Sequence, residues 1–293
     1  MKQLFGLLFS LFLFFNSHSQ QIKKNEFVGT LQLSDNTIIT FKLNYTELAD
    51  GKIEGTSLSD IYGADRTLSK ITGTYNAASN KISFKETGNV STKSASDLGL
   101  FCFINVANAK IKTTGDKTII QGTFTGNFLS GKKCASGNIY LISSSYVEKL
   151  SDRFLTKKYI KNEDSLAIIK EKVNELKLQT NTSQLRHNEL MKLNWTSNEI
   201  IIEVWDGQNE DNDEISIYIN DKKVLDQFII KKEKKQIIVP INQPINNIKI
   251  VAISEGIKAP CTANVGFVDG VSSTPIVAIL KKGESTNIQI IKK

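Results

Sequence analysis

The chain is 293 residues long with a formal charge of +7, and its cations are almost all lysine: Arg66, Arg153 and Arg186 are the only arginines. Nucleic-acid sites favour arginine for its planar fork and its stacking on bases, so lysines spread over both halves argue against a nucleic-acid partner and for solubility or weak adhesion to acidic surfaces. Three cysteines and two histidines are scattered along the chain, whereas a zinc site of the usual kind needs three or four Cys or His ligands at short spacing. Beyond the leader described next, His187 is the one histidine left for a Ser-His-Asp or Cys-His arrangement, and its polar surroundings, TNTSQLRHNEL, read as a connector. No histidine-dependent enzyme is expected; carboxylate-pair chemistry is not excluded by this argument.

Met1-Lys2-Gln3 is a short positive end, Leu4 to Phe15 is apolar apart from Gly6 and Ser10, and the small residues Ser17 and Ser19 follow. That order predicts a secretory signal over 1–19, cut before Gln20. The apolar core is too short for the roughly 20 residues that span a bilayer, and no later run is long and apolar enough to do so. An exported chain without a transmembrane segment is expected. About 270 residues remain, which suggests two domains on the soft prior of ~100–200 residues each.

From Phe27 to Ile142 short segments rich in β-branched and aromatic residues alternate with turn residues. Strands are predicted at 27–33, 37–45, 52–58, 69–75, 81–86, 101–106, 109–113, 118–124 and 137–142. A Gly-Thr pair recurs at Gly29-Thr30, Gly55-Thr56, Gly73-Thr74 and Gly122-Thr123. Glycine weakens a strand unless it permits a bend or a close approach, so its repetition predicts a strongly coiled sheet or barrel over 27–142. Thr87 to Ser96, rich in Ser and Thr, reads as a mobile loop. Cys102 and Cys134 are expected to pair in an oxidising exported setting, with a free thiol as the alternative. The strand count and the Gly-Thr rhythm resemble an up-and-down barrel of the avidin or lipocalin sort. The resemblance implies a ligand cup at one mouth but carries no binding residue across; a barrel packed solid with side chains fits equally well.

Residues 143–198 lack strand alternation and read as a linker. Leu166, Ile169, Val173 and Leu176 recur at helical spacing behind Asn162 and Asp164, which predicts one helix over 164–178 followed by a polar tether to Asn198. Trp195 is expected to anchor the tether's end.

From Glu199 the period-2 alternation is clearer. Ile200, Ile202 and Val204 share a face, as do Ile215, Ile217 and Ile219, and later Ile237, Val239 and Ile241; about eight such strands predict a β-sandwich over 199–293. The fold class is therefore all-β: an N-terminal antiparallel barrel-like domain and a C-terminal sandwich, joined by a helical and polar linker. Lys231-Lys232-Glu233-Lys234-Lys235 reads as a solvated hairpin end that discourages edge pairing. Between the first two strands lies the densest set of oxygen-bearing side chains, in which Asp206, Asp211 and Asp213 are candidate calcium ligands. Calcium favours roughly six to eight oxygens at flexible spacing, whereas ordinary turn chemistry uses the same residues to accept backbone hydrogen bonds. The spacing is not that of an EF-hand. Cys261 has no partner in its domain and is expected to be a buried free thiol.

Three stretches, LRHNEL at 185–190, VWDGQNEDNDEISIYINDKKVLDQFIIKK at 204–232 and ISEGIKAPCTANVGFVDG at 253–270, resemble a tail domain common in exported proteins of Bacteroidota. The pattern there is Arg-x-Asn-x-Leu, a strand ending in Trp/Tyr-Asp, an acidic Asp-Gly-Asp turn, a strand with Asn-Gly, and Glu-Gly or Leu-Gly ahead of Pro-Pro-Asn-Thr-Ala. Arg186, Asn188, Leu190, Trp205, Asp206, Asp211, Asp213, Asn220, Glu255, Gly256, Pro260, Thr262 and Ala263 match it. Asn212, Asp221 and Cys261 depart from it. The resemblance covers about a third of the chain. It implies an exported multi-domain protein with a non-catalytic sandwich, and supplies no activity.

The functional expectation is a non-enzymatic secreted or periplasmic binding protein for a small molecule, glycan or envelope component. A scaffold docking to an envelope partner is the alternative, and a carboxylate-based hydrolase comes third. Apart from calcium at the acidic turn, no cofactor is expected.

Overall fold

A computed structural model describes residues 24–156, 162–207, 210–270 and 273–293. The expected leader lies outside the described residues, as do Gln208 and Asn209 of the acidic turn.

Eight strands make the first body: β1 (Lys24–Leu33), β2 (Ile38–Glu47), β3 (Lys52–Ser59), β4 (Thr67–Asn76), β5 (Lys81–Thr92), β6 (Phe103–Thr114), β7 (Lys117–Asn127) and β8 (Lys133–Ser143). Each pairs antiparallel with the next. The last returns to the first in register from Phe27↔Ser143 to Leu33↔Gly137, so the sheet closes into an up-and-down barrel. The nine predicted segments become eight because 101–106 and 109–113 are one strand. The break between them is a bulge at 107–109, where Asn108 takes a left-handed φ of 53° and the pairing to β7 slips between Val106 and Lys110.

The inward face of the strands is mainly apolar, with Glu86 of β5 the charged exception, and the middle of the barrel is filled. Phe41, Leu43, Ile82, Val106, Ile120 and Leu141 are wholly buried within one continuous cluster. The Gly-Thr rhythm has the geometric cause expected of it. A Cβ at Gly29, Gly55 or Gly73 would run into the carbonyl oxygen of Tyr140, Asn44 or Ser83 on the neighbouring strand, so only glycine allows the strands to coil that tightly.

Thr87 to Ser96 is not a loop throughout. Its first six residues complete β5, with Ser69 Oγ donating to Asn89 Oδ1 at 3.0 Å and the Thr67 and Thr92 hydroxyls 2.7 Å apart. Ser and Thr mimic loop composition, yet here their hydroxyls satisfy one another across a strand pair.

The segment 143–198 also departs from the expected linker with a single helix. Among its described residues it holds two helices, α1 (Ser144–Phe154) and α2 (Glu163–Asn181), the second covering the predicted 164–178. Lys42, on the barrel wall, donates to Asn181 Oδ1 at 2.7 Å at the end of α2. The polar tether is itself built into sheet: β9 (Ser183–Leu185) and β10 (Leu190–Trp195) are strands of the sandwich. Each is short, and the turn between them, with Asn188 at φ 62°, interrupts the alternation of Leu185, Met191, Leu193 and Trp195 that would have marked it.

The second body has two five-stranded layers. One runs β13 (Lys222–Ile229), β12 (Asp213–Ile219), β15 (Ile245–Glu255), β18 (Ser285–Lys292), β10; the other runs β14 (Lys235–Pro240), β11 (Glu199–Trp205), β16 (Cys261–Val268), β17 (Ser273–Leu280), β9. Ile200 and Ile202 from one layer bury against Ile215, Ile217, Ile248 and Ile288 from the other in a core separate from the barrel's. The all-β class holds, with a closed barrel and a sandwich. The bodies are joined edge to edge: β5 overruns the barrel rim and pairs with β10 at Lys192↔Thr92 and Leu193↔Ser91. Among the described residues no helix is long and apolar enough to cross a membrane.

Candidate functional site

One barrel mouth, where β1 and β7 begin and β2, β4, β6 and β8 end, opens beside the start of α1. A cavity of about 550 Å³ sits there, floored by Phe27, Tyr45, Tyr75 and Ile111 and rimmed by Lys24, Glu26, Glu47, Asp116 and Glu148. Phe27 and Tyr45 are cross-strand neighbours facing inward, with parallel rings whose centroids are 6.1 Å apart. Both are almost fully buried, whereas Tyr75 is partly exposed to the cup. Burial, then the nearby Glu47 and Tyr75, push the Tyr45 phenol well above its ordinary value, so it stays protonated and able to donate. Four acids against one lysine give the rim a negative bias in a chain that is positive overall. Two of those acids are engaged: Glu26 with Lys42 at 3.1 Å and Asp116 with Lys149 at 2.8 Å. Lys149 holds the Asp116 carboxyl below the usual range.

At the barrel's far end a carboxylate is turned inward. Period 2 puts Glu86 on the face of Ile82 and Phe84. It accepts from Ser57 Oγ at 2.5 Å and from the Ile104 backbone N–H at 2.8 Å. Desolvation outweighs both bonds and pushes its pKa up to about 7. The alternation of β5 carries this signal, since Ile82, Phe84 and Glu86 are two residues apart.

Cys102 and Cys134 are bonded, with Cα atoms 5.9 Å apart. Their bridge reaches over β7 at Gly126, where a Cβ would collide with Cys102 Sγ. Cys261 is a buried free thiol.

In the acidic turn Asp206 follows β11 and Asp213 opens β12, and both are buried. Asp213 Oδ2 accepts from Thr262 N–H at 2.7 Å, and Asp211 Oδ2 from Lys258 N–H at 3.2 Å. Burial, joined by Asp211 and Asp206, pushes Asp213 up to about 6. Oδ1 of Asp211 and Oδ1 of Asp213 are buried without a hydrogen-bond partner among the described residues. The three aspartates are thus electrostatic neighbours, yet among the described residues no three carboxylate, imidazole or thiol groups gather as a metal-binding set. The turn chemistry is explicit in the structure. A calcium ion would have to rest on the two unpartnered oxygens and on backbone carbonyls. His187 lies in the β9–β10 turn, with Nδ1 accepting from the Ser285 N–H at 3.2 Å.

Searches of protein-family models, curated proteins and solved structures return no match to this chain.

Proposed function

We propose that this is an exported, non-catalytic binding protein that holds a small neutral or cationic ligand, of which a sugar unit is the best fit, in the cup at the open mouth of the barrel. The observation that carries the reading is the pairing of an aromatic floor with an acidic rim. Tyrosine presents a flat apolar face and a polar tip, and carboxylates accept from hydroxyl or ammonium groups. The volume falls in the range of small-molecule sites. Export is supported by the leader pattern, by the Cys102–Cys134 bridge and by the resemblance of the C-terminal stretches to the exported tail domain.

Binding is favoured over hydrolysis by the protonation states. A general acid needs a carboxyl raised toward neutrality, and Asp116 on the rim is shifted the other way. The raised carboxyls, Glu86 and Asp213, line neither the floor nor the rim. Two observations favour the scaffold alternative: the middle of the barrel is filled, and on α2 Ile168 is two-thirds exposed and Ile169 partly so.

The test is native mass spectrometry of the purified chain for retained molecules, followed by titration with neutral and amino sugars. Tyr75→Ala should weaken binding about tenfold or more, a loss of about 1.4 kcal/mol or greater, with the melting temperature read alongside because Tyr75 also packs against the barrel core. Unchanged affinity in that variant would move the ligand elsewhere.

A further inference from the structure

Two of the chain's three arginines meet at the seam between barrel and sandwich. Arg66 precedes β4, Arg186 lies in the β9–β10 turn, and both line a cavity of about 290 Å³ together with Tyr62, Lys93 and Glu189. Arg66 is only 8% exposed. Its Nη1 donates to the Ile61 carbonyl at 2.6 Å and its Nε to Ser183 Oγ at 2.9 Å, so the guanidinium is clamped from both bodies by neutral groups. No carboxylate lies within salt-bridge reach of it among the described residues. The acid that lines the cavity is occupied: Glu189 gives one oxygen to Lys93 at 2.9 Å and the other to the Arg186 N–H at 2.8 Å.

The cavity wall therefore carries three cations and one anion. A buried guanidinium held only by neutral oxygens is electrostatically incomplete, because desolvation is repaid in full only by an opposite charge. Burial draws the Arg66 pKa down to about 10, as that imbalance requires. Arginine is also the residue whose planar fork matches carboxylate, phosphate and sulfate oxygens. In a chain that otherwise uses lysine, two arginines at one small cavity mark a recognition element rather than general surface charge.

We propose that the seam cavity is an anion site, in which Arg66 and Arg186 take the oxyanion end of a small ligand, a carboxylate, phosphate or sulfate. Its binding would join the two bodies, since Arg66 belongs to the barrel and Arg186 to the sandwich. The site is distinct from the cup and does not depend on it.

The experiment is calorimetric titration of the purified chain with inorganic phosphate, sulfate and glucuronate, each matched in ionic strength by sodium chloride. Saturable binding of at least one of the three is expected, and the preferred anion tells a tetrahedral from a carboxylate ligand. Arg186→Gln should weaken it about tenfold or more, while Arg153→Gln, on α1, should leave it unchanged. Arg66→Lys keeps the charge but loses the fork and should also weaken binding; because that residue is buried, its melting temperature is read alongside. Tyr75→Ala in the cup should have no effect, so the two sites fail separately. Heats no larger than those of chloride for all three anions, or full affinity in Arg186→Gln, would overturn the proposal.

Discussion

Gly126 shows how closely one residue can be bound to the covalent frame. The bridge between Cys102 and Cys134 crosses it, so Gly126→Val must displace a sulfur that cannot leave. A loss of about 1–3 kcal/mol is expected, read as a lower melting temperature, against little change for Gly88→Val, whose Cβ meets open space. Glu86 makes a prediction about pH. Its folded pKa of about 7 lies above the ordinary 4.5, so between those values the folded state binds more protons than the unfolded one. Stability from this group is therefore present below about 4.5 and falls as pH rises toward 7. Glu86→Gln should match the native chain at low pH and exceed it in urea melts above neutrality; an unchanged pH profile would show that the carboxyl is not desolvated. Asp213 shifts in the same direction, and Asp213→Asn should raise the melting temperature at neutral pH in a chelator. If calcium stabilises the native chain and that gain vanishes in Asp213→Asn, the unpartnered oxygens hold the ion. Equal melting in calcium and chelator leaves them as turn chemistry.

Among the elements, the strands with a long uninterrupted alternation were legible and the short or interrupted ones were not. Ile200, Ile202 and Val204 announce β11 because nothing but an inward face explains the spacing. β9 and β10 carry the same kind of residues, Leu185 and then Met191 and Leu193, but a turn separates them and each run is too brief to outweigh its polar neighbours. What makes them strands is their partners. β10 lies parallel to β18, from Leu190↔Asn287 to Trp195↔Lys292, nearly a hundred residues away. The α1 helix was missed for a related reason: its first turn is Ser144-Ser145-Tyr146-Val147, a stretch with no side-chain cap to announce a start. Of the candidate sites, the disulfide and the acidic turn were legible as residue types. Arg66 and Arg186 stood out only by rarity, and 120 residues of sequence hide the fact that they line one cavity.

At the scale of the whole molecule, two separate cores imply two melting units. The disulfide ties only the barrel, closing a loop between residues 32 apart, so reduction should cost that unit about 2–4 kcal/mol. Calorimetry with and without reductant should move one transition and leave the sandwich transition in place, since Cys261 has no bond to lose. If both transitions move together, the β5–β10 joint couples the bodies more tightly than its short register suggests. The alternation of apolar side chains was enough to determine that both bodies are sheet, because the period of a strand is a property of neighbours in sequence. Barrel closure through β1 and β8, the filling of its interior, the capture of the tether as sandwich strands and the meeting of the two arginines were decided only by the tertiary structure. Each depends on which distant backbone supplies the hydrogen bonds, and local periodicity carries no record of that partner.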